Sequence, residues 1–194
     1  MFIRLADKND IPRILAIYAP YVEGTCTSFE YTVPTLAEFT ARFETYTARF
    51  PWLVWEEQGQ VLGYAYGSAP FSRAAYQWCC EMSIYLCPEA QGRGIGKKLY
   101  ETLEAILFAQ GFRRIYAVIT SENGGSVAFH EKLGFRTVAV FPGCGVKFGK
   151  ILGTVWMEKT AQSVDIPSEP PVPFPEIVKN ARLFPWILDK LSLS

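Results

Sequence analysis

The sequence predicts a single α/β domain. Three observations carry that expectation. Short β-branched or aromatic runs alternate with stretches of helical period, a glycine-rich turn leads from one strand straight into one helix, and 194 residues suffice for one substantial core.

Composition narrows the function classes. Hydrophobic residues make up 49% and charged residues 20%, the balance of a globular chain rather than a disordered one. Nineteen Lys and Arg against nineteen Asp and Glu give a formal net charge of zero, which argues against non-specific binding to nucleic acid or an anionic membrane. The five cysteines (26, 79, 80, 87 and 144) are odd in number, no two have C-x-x-C spacing, and His130 is the single histidine. Neither a zinc site nor a disulfide framework is expected, and free thiols suit a reducing cytosol. The amino-terminal residues lack a signal-peptide apolar stretch, and no run approaches the ~20 apolar residues of a membrane span. The expected location is cytoplasmic.

The elements follow in order. Ile11, Ile14, Leu15 and Tyr18 form one helical face, with Asp10 as expected N-cap and Pro12 tolerated in the first turn. Thr35 and Glu38 read as a capping box ahead of Leu36, Phe39, Phe43 and Tyr46. Trp52 to Glu56 and Val61 to Ser68 read as a hairpin turning at Gln58-Gly59-Gln60. Trp78 to Leu86 is a further strand, with Pro88 just past its end. A helix then carries Ile95, Leu99, Leu103, Ile106 and Leu107 on one face and stops at Gly111. Ile115 to Thr120 has the continuous apolar character of a buried strand. Asn123 caps a helix ending at Leu133-Gly134-Phe135, and Thr137 to Phe141 and Thr154 to Glu158 are two last strands around the glycine-rich stretch 143–153.

Five prolines between Pro167 and Pro175 read as a stiff extended linker. Ile177, Ala181, Phe184, Ile187, Leu188 and Leu191 beyond it suit a short amphipathic tail. It docks either on its own domain or a dimer mate, or on a membrane or another partner. The expected division is a domain over 1–160 and a tail over 161–194.

The chemistry is concentrated in the strand–turn–helix segment. Glycines let successive N–H groups converge on one point, and the positive end of the following helix dipole reinforces it, which makes a phosphate cradle. Two familiar phosphate motifs do not fit. The Walker A loop requires Lys-Ser or Lys-Thr after its last glycine, whereas Gly96 precedes Lys97-Lys98. The dinucleotide fingerprint requires Gly-x-Gly-x-x-Gly, whereas the spacing here is Gly92-x-Gly94-x-Gly96.

The pattern that fits is Gln/Arg-x-x-Gly-x-Gly, at Gln91-Gly92-Arg93-Gly94-Ile95-Gly96. With Asn123 and the block Ser126 to Phe135 following in the right order, residues 2–160 resemble the GNAT superfamily of N-acetyltransferases. Phe50 to Trp55, Arg73 to Trp78, Ala109 to Phe112 and Lys147 to Gly149 look like its phosphinothricin and methionine sulfoximine acetyltransferase branch. The resemblance implies the GNAT (acyl-CoA N-acyltransferase) fold: a mixed, twisted sheet of six to seven strands, splayed between its central strands, with helices on both faces. It implies acetyl-CoA as cosubstrate without a metal, its pyrophosphate over Gln91, Gly92, Arg93, Gly94, Ile95, Gly96 and Lys97. Pantetheine contacts are implied at the main chain of Ile84, Tyr85 and Leu86 and at Asn123. A homodimer is expected on the same ground.

Glu81 lies in the middle of a strand that is apolar on one face and mixed on the other. A carboxylate there reaches the solvated strand end or acts as general base, taking a proton from the acceptor ammonium. The branch resembled places its proposed base on this strand. His130 stands where many GNAT enzymes have Tyr, so it either protonates the leaving thiolate or orients the substrate. A backbone N–H near Ile84 is the natural oxyanion donor. For an acceptor bearing a carboxylate, Arg73 and Lys147 are the candidate cations. Phe29, Tyr31, Tyr76 and Trp78 are candidates for an apolar wall, though core packing accounts for aromatics equally well.

The expected activity is acetyl transfer to the primary amine of a small molecule, with the α-amino group of an amino acid or analogue such as phosphinothricin or methionine sulfoximine as the expected acceptor. The alternatives are a protein N-terminus, a ribosomal protein or a polyamine as acceptor, or a non-catalytic coenzyme A-binding module whose tail recruits a partner.

Overall fold

A computed structural model describes residues 1–161 and 167–179. Its strands are β1 (Phe2–Leu5), β2 (Trp52–Glu57), β3 (Gln60–Ser68), β4 (Cys79–Leu86), β5 (Arg114–Thr120), β6 (Arg136–Lys147) and β7 (Lys150–Thr160). Its helices are α1 (Ile11–Gly24), α2 (Leu36–Thr47), α3 (Ile95–Ala109), α4 (Gly124–Lys132) and α5 (Phe174–Lys179). The strands form one mixed sheet in the order β1-β2-β3-β4-β5-β7-β6. All neighbours pair antiparallel except β4 and β5, which run parallel.

The strand β1 is an addition to the elements expected. Its Arg4 reaches Glu56 on β2 at 2.6 Å and both oxygens of Asp10 at 2.6 and 2.8 Å. Asp10 therefore does not cap α1 through its side chain. It accepts from the Asp7 N–H at 2.8 Å and closes a capping box on a short 3-10 turn, Lys8–Asp10, with Asp7 as the cap. Four residues are too few to show a period, and a local reading cannot foresee that Arg4 claims Asp10.

The expected capping box on α2 is present: Thr35 Oγ1 accepts from Glu38 N–H, and a Glu38 carboxylate oxygen accepts from Thr35 N–H at 2.8 Å. The helix thereby starts with two of its orphan donors satisfied. It buries Phe39 and Phe43 against Trp52 of β2, beside α1, whose buried stripe is Ile11, Ile14, Ile17, Tyr18 and Val22. Tyr18 and Tyr21 of α1 meet Tyr85 of β4 edge-on, which places α1 and α2 on the sheet face bearing Tyr85. Helix α3 lies on the opposite face, where Gly96 approaches Ile84 and Leu86 of β4. One aromatic ladder, Trp52, Tyr66, Tyr64 and Tyr85, runs across β2, β3 and β4 beneath α1 and α2. The two fully buried rings, Trp52 and Tyr64, each contribute roughly 2–3 kcal/mol of transfer free energy.

The last two strands are longer than expected. The glycine-rich stretch 143–153 belongs to the strands themselves, turning at Phe148 and Gly149, both at positive φ. The pairing shifts register between Phe141 and Gly145, and a Cβ at Gly153 would stand 2.8 Å from the Phe141 carbonyl oxygen. Glycine serves close backbone approach at a bulge here rather than chain termination.

Beyond the sheet, the proline-rich segment packs back on the domain. Val172 N–H donates to Gln110 O at 2.8 Å, Gln110 Nε2 donates to Val172 O at 2.8 Å and Arg49 O at 2.9 Å, and Phe174 N–H donates to Arg49 O at 3.0 Å. Phe174 and Ile177 are buried. Ala181, Phe184, Ile187, Leu188 and Leu191, expected to continue the amphipathic tail, lie outside the described residues. Among the described residues no helix is long and apolar enough to cross a membrane.

Candidate active site

The parallel pair β4–β5 is joined over three rungs alone: Cys79 with Arg114, Cys80 with Ile115, and Glu81 with Tyr116. Past Glu81 the strands part into a wedge. One wall is Met82 to Tyr85 and the other is Ala117 to Thr120, with Thr27, Tyr100, Asn123, Ser126 and His130 completing the lining. Through Thr27, Ile84, Asn123 and Ser126 the wedge continues into a groove of about 630 Å³ over the glycine turn.

Main-chain polarity along β4 alternates. Tyr64 pairs with Tyr85, Tyr66 with Ser83 and Ser68 with Glu81, and the Cys87 N–H donates to Leu62 O at 2.9 Å. The amides and carbonyls of Ser83 and Tyr85 thus face β3, while those of Met82, Ile84 and Leu86 face the wedge. Met82 O lies 3.2 Å from the Tyr100 hydroxyl oxygen, and Leu86 O accepts from the Tyr21 hydroxyl at 2.6 Å. Ile84 is left with main-chain groups that meet no strand. Of the three residues expected to contact pantetheine, Ile84 is free to do so, Leu86 is engaged by Tyr21, and the Tyr85 main chain is spent on β3.

In the glycine turn, Gly92 and Gly94 hold φ of 71° and 78°, and a Cβ on either would meet nothing within 4 Å. Glycine is needed for the left-handed backbone and leaves open space above it. Gly94 is the N-cap of α3, so the first-turn amides beyond it have no intrahelical acceptor. They point into the groove lined by Gln91, Gly92, Gly94, Gly96 and Lys97. Ile95 is buried and can offer the groove its amide alone. The Arg93 guanidinium is turned away, bonded to Glu57 at 2.6 Å, so Arg93 too has only its main chain in the turn. Asn123 caps α4: its Oδ1 accepts from Ser126 N–H at 3.1 Å, leaving the amide NH₂ on the groove side. Outward amides at a helix start, an unpaired β4 main chain beside them and space over positive-φ glycines suit a pyrophosphate and its amide-bearing arm.

Glu81 stands at the apex on the α1/α2 face, and burial pushes its carboxyl up to about 7. His130 lies on the other face, 3% exposed among Tyr100, Phe129 and Phe135. Its Nδ1 sits 2.7 Å from Ser126 O, which only accepts, so Nδ1 carries the proton. Its Nε2 sits 2.7 Å from the Tyr100 hydroxyl. Burial lowers its pKa, keeping the ring neutral, so Nε2 accepts from Tyr100. Both ring nitrogens are engaged. Tyr100, not singled out in the sequence, stands between His130 and the wedge wall; its one signal there was a hydroxyl beside the apolar stripe of α3.

The acceptor-side candidates scatter. Arg73 is exposed, ahead of a 3-10 turn (Ala74–Tyr76), and Tyr76 packs on Phe71. The Phe29 ring lies on Gly145. Lys147, expected as a cation for an acceptor carboxylate, is buried, its ammonium donating to Val22 O and Ser28 O at 2.7 Å each. Trp78 Nε1–H donates to Glu169 O at 3.2 Å, which ties that ring to the tail segment. Neither Phe29, Arg73 nor Tyr76 lines the wedge; Thr27, unforeseen, does.

Residues 3–156 match the family described as an acetyltransferase (GNAT) domain. A phosphinothricin N-acetyltransferase of Alcaligenes faecalis is 36% identical over 165 residues, 84% of each chain. An L-methionine sulfoximine/L-methionine sulfone acetyltransferase of Salmonella typhimurium is 37% identical over 163 residues, 81% of this chain and 93% of that one. Among solved structures, a GNAT phosphinothricin acetyltransferase from Sinorhizobium meliloti in complex with AcCoA superposes with a TM-score of 0.83 at 38% identity, covering 86% of this chain and 92% of that one. By fold, by the splayed strands and glycine turn, and by these likenesses, the chain belongs to the GNAT family of acetyltransferases.

Proposed function

We propose that the protein transfers the acetyl group of acetyl-CoA to the α-amino group of a small amino acid or analogue, of the phosphinothricin or methionine sulfoximine kind. The observation that carries the reading is Glu81: a carboxyl held near neutrality by burial, at the point where β4 and β5 part. The names of the Alcaligenes and Salmonella relatives support an amino-acid-like acceptor.

The cosubstrate supplies an acetyl group activated as a thioester. The chain's residues do the rest. The first-turn amides of α3 and the Asn123 amide bind and orient the cosubstrate, and the Ile84 main chain aligns its arm beside β4. The Glu81 carboxylate takes one proton from the acceptor ammonium, directly or through water, freeing the lone pair that attacks the thioester carbonyl. The Ile84 N–H faces the oxygen on which negative charge develops. As the C–N bond forms and the C–S bond breaks, nitrogen sheds one further proton and sulfur takes one up. The Tyr100 hydroxyl, held by His130, is the donor nearest that wall. For an acceptor carboxylate we keep Arg73, exposed outside the wedge, as the proposed cation, with Phe29 and Tyr76 as proposed outer contacts.

We also read the protein as a cytoplasmic homodimer with its transferase unit in residues 1–160. The edge strand β6, exposing Val138, Val140 and Phe141, supports a second copy there. Sedimentation at several concentrations checks that.

The test is thiol release from acetyl-CoA against phosphinothricin, methionine sulfoximine, free amino acids, peptides and polyamines. Turnover confined to amino-acid-like acceptors is expected; silence across the panel with coenzyme A still bound would leave a binding module.

A further inference from the structure

The two arms of the wedge meet at three rungs, yet one side chain also joins them across the open side. Lys147 ends β6, in the arm beyond β5. Its Nζ donates to Val22 O in the last turn of α1 and to Ser28 O just after it, both in the arm that carries β4. Burying an ammonium is costly unless it is matched. Here the match is two carbonyls, the negative end of the α1 dipole, and the Phe148 ring 4.9 Å away.

The same loop is fastened twice more. The Tyr31 hydroxyl donates to Val146 O at 2.6 Å, and the Phe29 ring covers Gly145 so closely that a Cβ there would stand 2.5 Å from it. Between these fastenings lies Thr27, which lines both the wedge and the groove over the glycine turn.

We infer that Lys147 is a positioning residue for the acceptor: by tying Val22 and Ser28 to the end of β6 it holds the loop 25–31 as one wall of the acceptor cleft. The inference rests on the acetyl-transfer reading of the wedge. It gives the buried lysine a role other than that of a cation offered to substrate.

The experiment compares Lys147→Met, which keeps the stem but removes the donors, with Tyr31→Phe and Gly145→Ala, which loosen the same loop elsewhere. Kinetics use whichever of methionine sulfoximine, phosphinothricin or the free amino acids the wild-type protein turns over, and calorimetry measures acetyl-CoA affinity. Lys147→Met should raise the acceptor KM by ~10-fold or more, lower kcat by less than ~3-fold, and leave acetyl-CoA affinity within ~2-fold. Amide exchange in 25–31 should quicken. The other two variants should shift KM the same way by smaller factors, and they decide the matter if Lys147→Met does not fold. An unchanged acceptor KM in the folded variants, or an equal loss of acetyl-CoA affinity, overturns the clamp while wild-type turnover upholds the transferase reading. A wild-type protein that acetylates nothing overturns both.

Discussion

The Tyr100 hydroxyl lies 2.7 Å from His130 Nε2 and 3.2 Å from Met82 O, so a phenol is interposed between the single histidine and the wall of the wedge. Its one proton bonds Nε2 while the ring is neutral. Tyr100→Phe should therefore lower kcat by ~10-fold or more with acetyl-CoA affinity nearly intact, as expected when a proton donor rather than a binding contact is lost. A Tyr100→Phe enzyme with wild-type kcat would return the role to another group. Imidazole nitrogen shifts in labelled protein should confirm Nδ1–H in the wild type.

Glu81 sets the pH dependence. Its carboxyl is raised to about 7, and the base form acts, so kcat/KM should rise with pH through a limb near 7. Glu81→Gln should abolish that limb and lower turnover by ~10²-fold or more. The stability consequence has the opposite sense. Because this carboxyl is protonated in the fold but ionised in the unfolded chain, stability is lost as pH rises from about 4.5, its unfolded value, through about 7. Glu81→Gln should thus melt higher than wild type at pH 8 and the same at pH 4; equal melting at both would mean the carboxyl is not desolvated.

His130 acts on the acid side. Burial lowers its pKa, so the unfolded chain takes up the proton first as pH falls below about 6.5. Stability tied to this ring is complete above that value and is lost on further acidification. His130→Gln should flatten the acid limb of a melting-temperature profile between pH 6.5 and 5.

Gly94 caps α3 at a φ of 78° with open space above it. Gly94→Val strains the backbone there and fills the space over the first-turn amides. Acetyl-CoA affinity should fall by ~10-fold or more, with a cost of ~1 kcal/mol or more to the fold. Calorimetry and denaturant unfolding measure the two separately, and normal affinity would put the phosphates elsewhere.

Phe174 is buried beside the Gln110 knot that joins Arg49 O and Val172 O. Phe174→Ala should destabilise the whole protein by ~3 kcal/mol in urea unfolding. A tail that merely rests on the surface would give a loss below ~0.5 kcal/mol.

Much of the fold was legible locally because its signals sit within a few residues. The Thr35–Glu38 box, the Asn123 cap, the hairpin at Gly59 and the glycines of the turn each state their geometry over one helical turn or less. The misses had non-local causes. The side chain of Asp10 was taken by Arg4, and the Tyr85 main chain was consumed by β3. Lys147 was drawn 125 residues back to Val22. In each case the residue type was noticed and its partner was not.

By itself the sequence determined the order of strands and helices from α1 to β7, the glycine turn at the head of α3, and the resemblance to a GNAT acetyltransferase with Glu81 on the strand before that turn. Period, capping and backbone freedom are properties of neighbouring residues, so they can be read in line. Only the tertiary structure decided that β4 and β5 part after three rungs, that the Tyr100 hydroxyl stands between His130 and Met82 of the wedge wall, and that a buried lysine spans its open side. Those depend on which distant groups compete for one buried donor or acceptor, and that competition is resolved only when the chain is packed.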